Sequence, residues 1–193
     1  DLVYSGVDGL TLEANVENLI LQEMTWINRG TGNTGNNVLT GSRFMNMLSG
    51  LDGNDLLRGL GANDVLVGGA GDDTLDGGAG NDILIGNTGG DTYVFGRGYG
   101  QDTIFYGDYT PDGIDTVRLK EDVSPSDVTL TRDMTDLYLK INGTEDHLRF
   151  KDWFLNENDV YQVERIEFAD GTVWDPAMVQ GLVDTPTDRN DFI

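Results

Sequence analysis

Residues 68–85, GGAGDDTLDGGAGNDILI, contain one nine-residue pattern twice: Gly68-Gly69-x-Gly71-x-Asp73-x-Leu75-x, then Gly77-Gly78-x-Gly80-x-Asp82-x-Leu84-x. Counting outward in nines, seven frames open on Gly32, Gly41, Gly50, Gly59, Gly68, Gly77 and Gly86. The sixth position reads Asn37, Asn46, Asp55, Asp64, Asp73, Asp82 and Asp91, and the eighth reads Leu39, Leu48, Leu57, Leu66, Leu75, Leu84 and Tyr93. The second frame decays to GSRFMNMLS, with Phe44 and Asn46 where Gly and Asp stand later. A period of this length marks a solenoid, because one unit cannot bury its own apolar residue.

The six Gly-rich positions suit a tight turn with positive φ, and the three that follow suit a short strand with one inward side chain. Two units make an 18-residue coil, and coils stacked about 4.8 Å apart bond as parallel strands. Turn n then lies beside turn n+2, which pairs Asp55 with Asp73, Asp64 with Asp82 and Asp73 with Asp91. Asn37 with Asp55 and Asn46 with Asp64 form weaker pairs, each short of one charge. A column of facing carboxylates is unfavourable unless a cation sits within it. Calcium suits such a gap, since it accepts about six to eight carboxylate and carbonyl oxygens at about 2.3–2.6 Å. Magnesium demands a tighter octahedron, and zinc favours His or Cys, of which the chain has one and none. A Gly/Asp linker would have no reason to keep every eighth position apolar.

These frames resemble the GGxGxDxUx nonapeptide of the RTX (repeats-in-toxin) family, secreted toxins, proteases, lipases and adhesins of Gram-negative bacteria. DTYVFGRGYGQDTI (91–104) resembles the segment that closes such a roll. VSPSDVTLTR, DLYLKING and VERIEFADGTVW, within 115–174, resemble the haemolysin-type calcium-binding related domain; ANVENLILQ and INRGTGNTGNNVLTG resemble the lead-in of RTX adhesins. The resemblance implies that carbonyls at positions two and four, with the sixth side chain, face one ion. Those at positions one and three face the previous one. Leu51, Gly53 and Asp55 would thus oppose Gly68, Ala70 and Asp73; Leu60, Ala62 and Asp64 would oppose Gly77, Ala79 and Asp82. Gly69, Gly71 and Asp73 would oppose Gly86, Thr88 and Asp91, while Gly50, Asp52, Gly59 and Gly61 would face the ions below. Gly78, Gly80 and Asp82 would be completed from 95–102, with Asp102 as carboxylate. About four to six calcium ions are expected in all.

The expected fold is all-β: a right-handed parallel β-roll, then an antiparallel β capping region with a short C-terminal helix. It divides into a lead-in flank (1–31), a calcium-binding roll (32–104), a cap (105–183) and a loose tail (184–193). Between Trp26 and Tyr93 the only aromatic is Phe44, whereas Phe105, Phe150, Trp153, Phe168 and Trp174 follow the repeats, so the cap is the aromatic-cored part. Strand patterns fall at 116–119, 128–130, 137–141, 148–150, 163–168 and 173–174, with hairpin signals at Asn142-Gly143 and Asp170-Gly171. Asp175-Pro176 should open a helix through Leu182. Such a cap would cover the open sheet edges and apolar column at the end of a solenoid.

A net charge of −22 repels nucleic acid and anionic lipid, and the absence of Cys excludes disulfides and thiolate sites. No transmembrane span or signal sequence is legible, so the chain reads as a fragment. Lone His147 suggests no catalytic set, and no enzyme is expected. The expected function is a calcium-binding module that folds on extracellular calcium. By resemblance it supports export through type I secretion machinery, its location being secreted or cell-surface on a Gram-negative bacterium. The alternative is an adhesion or recognition module whose C-terminal region binds a host receptor or glycan through exposed Trp or Tyr.

Overall fold

A computed structural model describes residues 1–23, 28–105, 113–155 and 163–183. The N-terminal part runs through β1 (Leu2–Ser5), β2 (Leu10–Thr11), β3 (Asn18–Leu21), β4 (Asn28–Thr31), β5 (Val38–Thr40) and β6 (Asn46–Asp52). The middle comprises β7 (Leu56–Gly61), β8 (Val65–Ala70), β9 (Thr74–Ala79), β10 (Ile83–Thr88), β11 (Thr92–Phe95) and β12 (Gln101–Ile104). The last part comprises β13 (Thr116–Leu119), β14 (Val128–Arg132), β15 (Leu137–Ile141), β16 (His147–Phe150), β17 (Arg165–Glu167), β18 (Val173–Trp174) and α1 (Pro176–Val183).

Odd and even strands of the repeat separate into two sheets, because each nonapeptide reverses the chain once. One sheet is ordered β1-β3-β5-β7-β9-β11-β13-β17-β18 and the other β14-β15-β16-β12-β10-β8-β6-β4-β2. Pairing is parallel throughout the roll: Leu39 lies beside Leu57, Leu57 beside Leu75 and Leu75 beside Tyr93. Leu48, Leu66, Leu84 and Ile104 form the facing stack. All of these side chains are at most 2% exposed, so the core is a double column of eighth-position residues. Residues 1–31 carry β1 to β4, which pair in parallel with the strands above them, so the stack of coils runs through this flank.

At the far end β13, β16 and β17 continue the sheets in parallel. The antiparallel ladders then follow, β14 on β15, β15 on β16 and β17 on β18. Gly143 and Gly171, in the two expected hairpin turns, have φ of 80° and 88°. Asp175 caps α1, its Oδ1 accepting the Met178 N–H at 2.8 Å. Phe150 meets Trp153 edge to face at 5.2 Å, and Phe168 meets Trp174 at 4.7 Å, closing the apolar column with rings. The tail expected over 184–193 lies outside the described residues.

Candidate metal centre

Every sixth position occupies the same place on the inner rim of its turn. Oδ1 of each aspartate from Asp55 onward accepts the N–H of the sixth-position residue one coil below. The links are Asn37 to Asp55 (2.7 Å), Asp55 to Asp73 (2.8 Å) and Asp73 to Asp91 (2.9 Å) in one column. In the other they are Asn46 to Asp64 (2.6 Å), Asp64 to Asp82 (2.7 Å) and Asp82 to Asp102 (2.9 Å). The last spans 20 residues rather than 18, so two extra residues are absorbed before Asp102 without breaking the column.

One oxygen of each carboxylate is thereby used, and the other is not. Oδ2 of Asp55, Asp64, Asp73, Asp82, Asp91 and Asp102 is buried with no hydrogen-bond partner. Buried anionic oxygens are costly unless paired, and elsewhere this chain pairs them. Asp136, 1% exposed, receives Arg149 Nε at 2.6 Å. Asp146 receives the Gly98 and Gly100 N–H groups, both at 2.9 Å. The six orphaned oxygens have no such donor.

The space they face is lined with oxygen. At Gly50 an added Cβ would strike Asp55 Oδ2 and lie 2.7 Å from the Gly68 carbonyl; at Gly59 it would strike Asp64 Oδ2 and lie 2.6 Å from the Gly77 carbonyl. Asp73, Asp82 and Asp91 Oδ2 crowd Gly68, Gly77 and Gly86 in the same way. Carbonyls of Leu51, Gly53, Leu60 and Ala62 press on Gly69, Gly71, Gly78 and Gly80 of the coil above. Leu51, Leu60 and Ala62 hold φ of 88°, 80° and 68°, the left-handed conformation that side chains disfavour by about 1–2 kcal/mol. That repeated strain preserves a turn shape in which oxygens converge. Among the described residues no three His, Cys, Asp or Glu converge as a metal-binding group. Cation ligation here would therefore require backbone carbonyls, a hard-oxygen donor set that calcium accepts and zinc does not favour. The fit is to calcium.

Some carbonyls named from the sequence also have protein partners, among them Gly80, which accepts the Gln101 N–H at 3.2 Å. The Ala70 carbonyl accepts the Gly53 N–H at 2.8 Å, and the Thr88 carbonyl accepts the Gly71 N–H at 2.9 Å, leaving each a second lone pair for an ion. Asn37 and Asn46 find protein partners for their side-chain oxygens. Asn37 Oδ1 accepts the Asn33 N–H (2.7 Å) and its Nδ2 donates to the Val16 carbonyl (3.3 Å). Asn46 Oδ1 accepts the Ser42 N–H (2.6 Å). These N-terminal turns thus close by hydrogen bonding where the Asp turns leave an oxygen open.

Electrostatics agree with the geometry. Burial raises Asp55 and Asp82 to about 6, Asp73 to about 7, and Asp64, Asp91 and Asp102 to about 8, against the opposing hydrogen bond from the coil below. Neighbouring column carboxylates add to the rise at Asp64, Asp73, Asp91 and Asp102.

Three participants escaped the sequence reading. Asp115 receives the Asp91 N–H at 2.8 Å and extends one column. Position-five side chains form a second ladder outside the first, Asn36 Oδ1 accepting from Asn54 N–H (2.9 Å) and Asn54 Oδ1 from Asp72 N–H (3.1 Å). Tyr93, in the Leu column, turns its hydroxyl back to accept the Gly86 N–H at 3.2 Å. His147 is half-buried, with Nδ1 3.4 Å from the Glu145 carbonyl.

Residues 31–66 and 58–93 match the family model of the RTX calcium-binding nonapeptide repeat (4 copies). Residues 136–178 match that of the haemolysin-type calcium binding protein related domain. The iron-regulated protein FrpA of Neisseria meningitidis serogroup C is 38% identical over 101 residues, which is 52% of this chain and 9% of that relative. Among solved structures, the extracellular lipase LipA of Serratia marcescens aligns over 80% of this chain and 40% of its own, with a TM-score of 0.32 and 15% identity.

Proposed function

Because this chain carries RTX calcium-binding repeats over 31–93 and a haemolysin-type calcium binding protein related domain over 136–178, we propose that it folds when extracellular calcium fills the Asp columns. The observation that carries the reading is the set of six buried, partnerless Oδ2 atoms aligned in two files. Without a cation they repel one another within a chain of net charge −22, and the unfolded state relieves that repulsion. Extracellular calcium modules bind at about 10⁻⁴–10⁻³ M, so such a module stays open in a low-calcium cytosol and closes outside. Each ion then joins neighbouring coils, and binding free energy becomes folding free energy.

That cycle suits a secreted or surface protein of a Gram-negative bacterium that crosses type I secretion machinery unfolded. The aromatic end, whose β13, β16 and β17 extend both sheets, serves as the folding cap. The role is structural rather than catalytic. Circular dichroism in EGTA and in millimolar calcium tests it: β-signal should appear only with calcium, and identical spectra would end the proposal. Adhesion to a receptor or glycan would have to use side chains other than Trp153 and Trp174, which are 2% and 6% exposed.

A further inference from the structure

The regular frames stop after Gly86, yet one carboxylate column continues. The Asp91 N–H donates to Asp115 Oδ1 at 2.8 Å, the same link between the same atoms that joins Asp73 to Asp91, although the step is 24 residues and not 18. Thr92 and Tyr93 stand beside Thr116 and Val117. Gly89-Gly90-Asp91-Thr92-Tyr93 is therefore overlaid by Gly113-Ile114-Asp115-Thr116-Val117, and both read Gly-x-Asp-Thr-apolar, positions four to eight of the repeat. Gly113 sits directly on the Gly89–Gly90 backbone, where a Cβ would collide, as Gly89 sits on Gly71 and Gly71 on Gly53.

The lower turn also keeps the shape found under the other oxygen-lined spaces. Asn87 and Gly89 have φ of 73° and 118°, alongside 88° and 110° for Leu51 and Gly53. Asp91 is fully buried, and its Oδ2 has no hydrogen-bond partner. The opposite column ends differently. Asp102 stands beside Leu148, and the Gly98 and Gly100 N–H groups close on Asp146.

We infer that the carbonyls of Asn87 and Gly89, with the carboxylates of Asp91 and Asp115, form a further calcium site beyond the nonapeptide array, joining roll to cap on one side only. The inference rests on the calcium reading of the repeats and adds a site whose upper turn belongs to no regular frame. Asp115 N–H donates to Glu164 Oε2 at 2.6 Å, just before β17, so an ion held by Asp115 also fixes the seat of the cap strand. On the other side Asp146 clasps the Gly98 and Gly100 N–H groups beside Asp102.

Crystals of the unmodified chain grown with terbium in place of calcium test this by anomalous scattering. A peak between Asp91 and Asp115, besides peaks between Asp55 and Asp73, is expected. Filled regular positions with nothing at Asp115 would overturn the inference alone. Empty regular positions would overturn the calcium reading beneath it. In solution, Asp115→Asn should bind one calcium fewer by calorimetry while keeping the wild-type ellipticity at saturating calcium; unchanged stoichiometry would also overturn the inference. Should Asp115→Asn not fold, the anomalous map of the unmodified chain decides.

Discussion

The Asp73 main-chain N–H donates to Asp91 Oδ1 at 2.9 Å, so two acidic residues are joined through one backbone donor while an oxygen on each stays open. The bond sets the coil spacing, and the open oxygens set the demand for charge. Asp73→Asn keeps the first and weakens the second, as the natural Asn37 and Asn46 turns do. The calcium midpoint of folding should rise about tenfold or more, equivalent to ~1.4 kcal/mol per tenfold. A calcium titration followed by far-UV ellipticity measures this, and an unmoved midpoint would remove Asp73 from the ligand set.

Acidity should act in opposite directions with and without metal. The column aspartates are raised to about 6–8 in the fold, above the ordinary aspartate range, so the fold binds their protons more tightly than the open chain does. In EGTA their stabilising contribution is present at low pH and is lost as pH rises through about 6–8. The metal-free chain should therefore gain β-structure on acidification from pH 8 towards pH 5. With calcium the ion competes with those protons, so the same acidification should raise the calcium concentration needed. Ellipticity across pH in both buffers checks the two signs.

Turn positions should divide into two kinds. Gly68→Ala places a Cβ on Asp73 Oδ2, in the space an ion would share, and should abolish calcium-dependent closure of that coil. Ala62→Gly acts the other way. Ala62 holds φ 68°, and glycine there relieves backbone strain, so stability in calcium should rise by about 0.5–1 kcal/mol. Melting temperatures of the two variants at fixed calcium separate the effects.

The roll was legible because its signal repeats. An Asp at every sixth place and a Leu at every eighth fix register, core and site together, and Leu57 beside Leu75 is what an 18-residue coil requires. Asp102 came from resemblance, since two extra residues precede it. Asp115 was hidden by a longer interruption, although Gly113-Ile114-Asp115-Thr116-Val117 repeats the second half of a frame and could have been found by searching for half-units. The position-five ladder was invisible for another reason. Asn36, Asn54 and Asp72 look like ordinary solvated turn residues until the coil above presents an N–H to each. Parallel continuation of both sheets into the cap was equally hidden, because strand patterns carry no direction of pairing.

The cap can be told from a ligand-binding domain through its indoles. Trp153 is 2% exposed and stacks edge-on against Phe150, which in turn stands beside Ile104 at the end of the Leu column. Truncating a buried Trp costs about 3–5 kcal/mol, a large share of the stability of a domain this size. If the aromatic end is the seat on which the coils stack, Trp153→Ala should shift the calcium midpoint of the whole roll upward, far from the mutated residue. The roll's two files of aspartates remain intact in that variant, so any shift must travel through stacking and not through lost ligands. Hydrogen exchange resolved along 50–91 would show the loss spreading from the cap end. A roll that folds at the wild-type calcium concentration without Trp153 would mean that the coils need no cap.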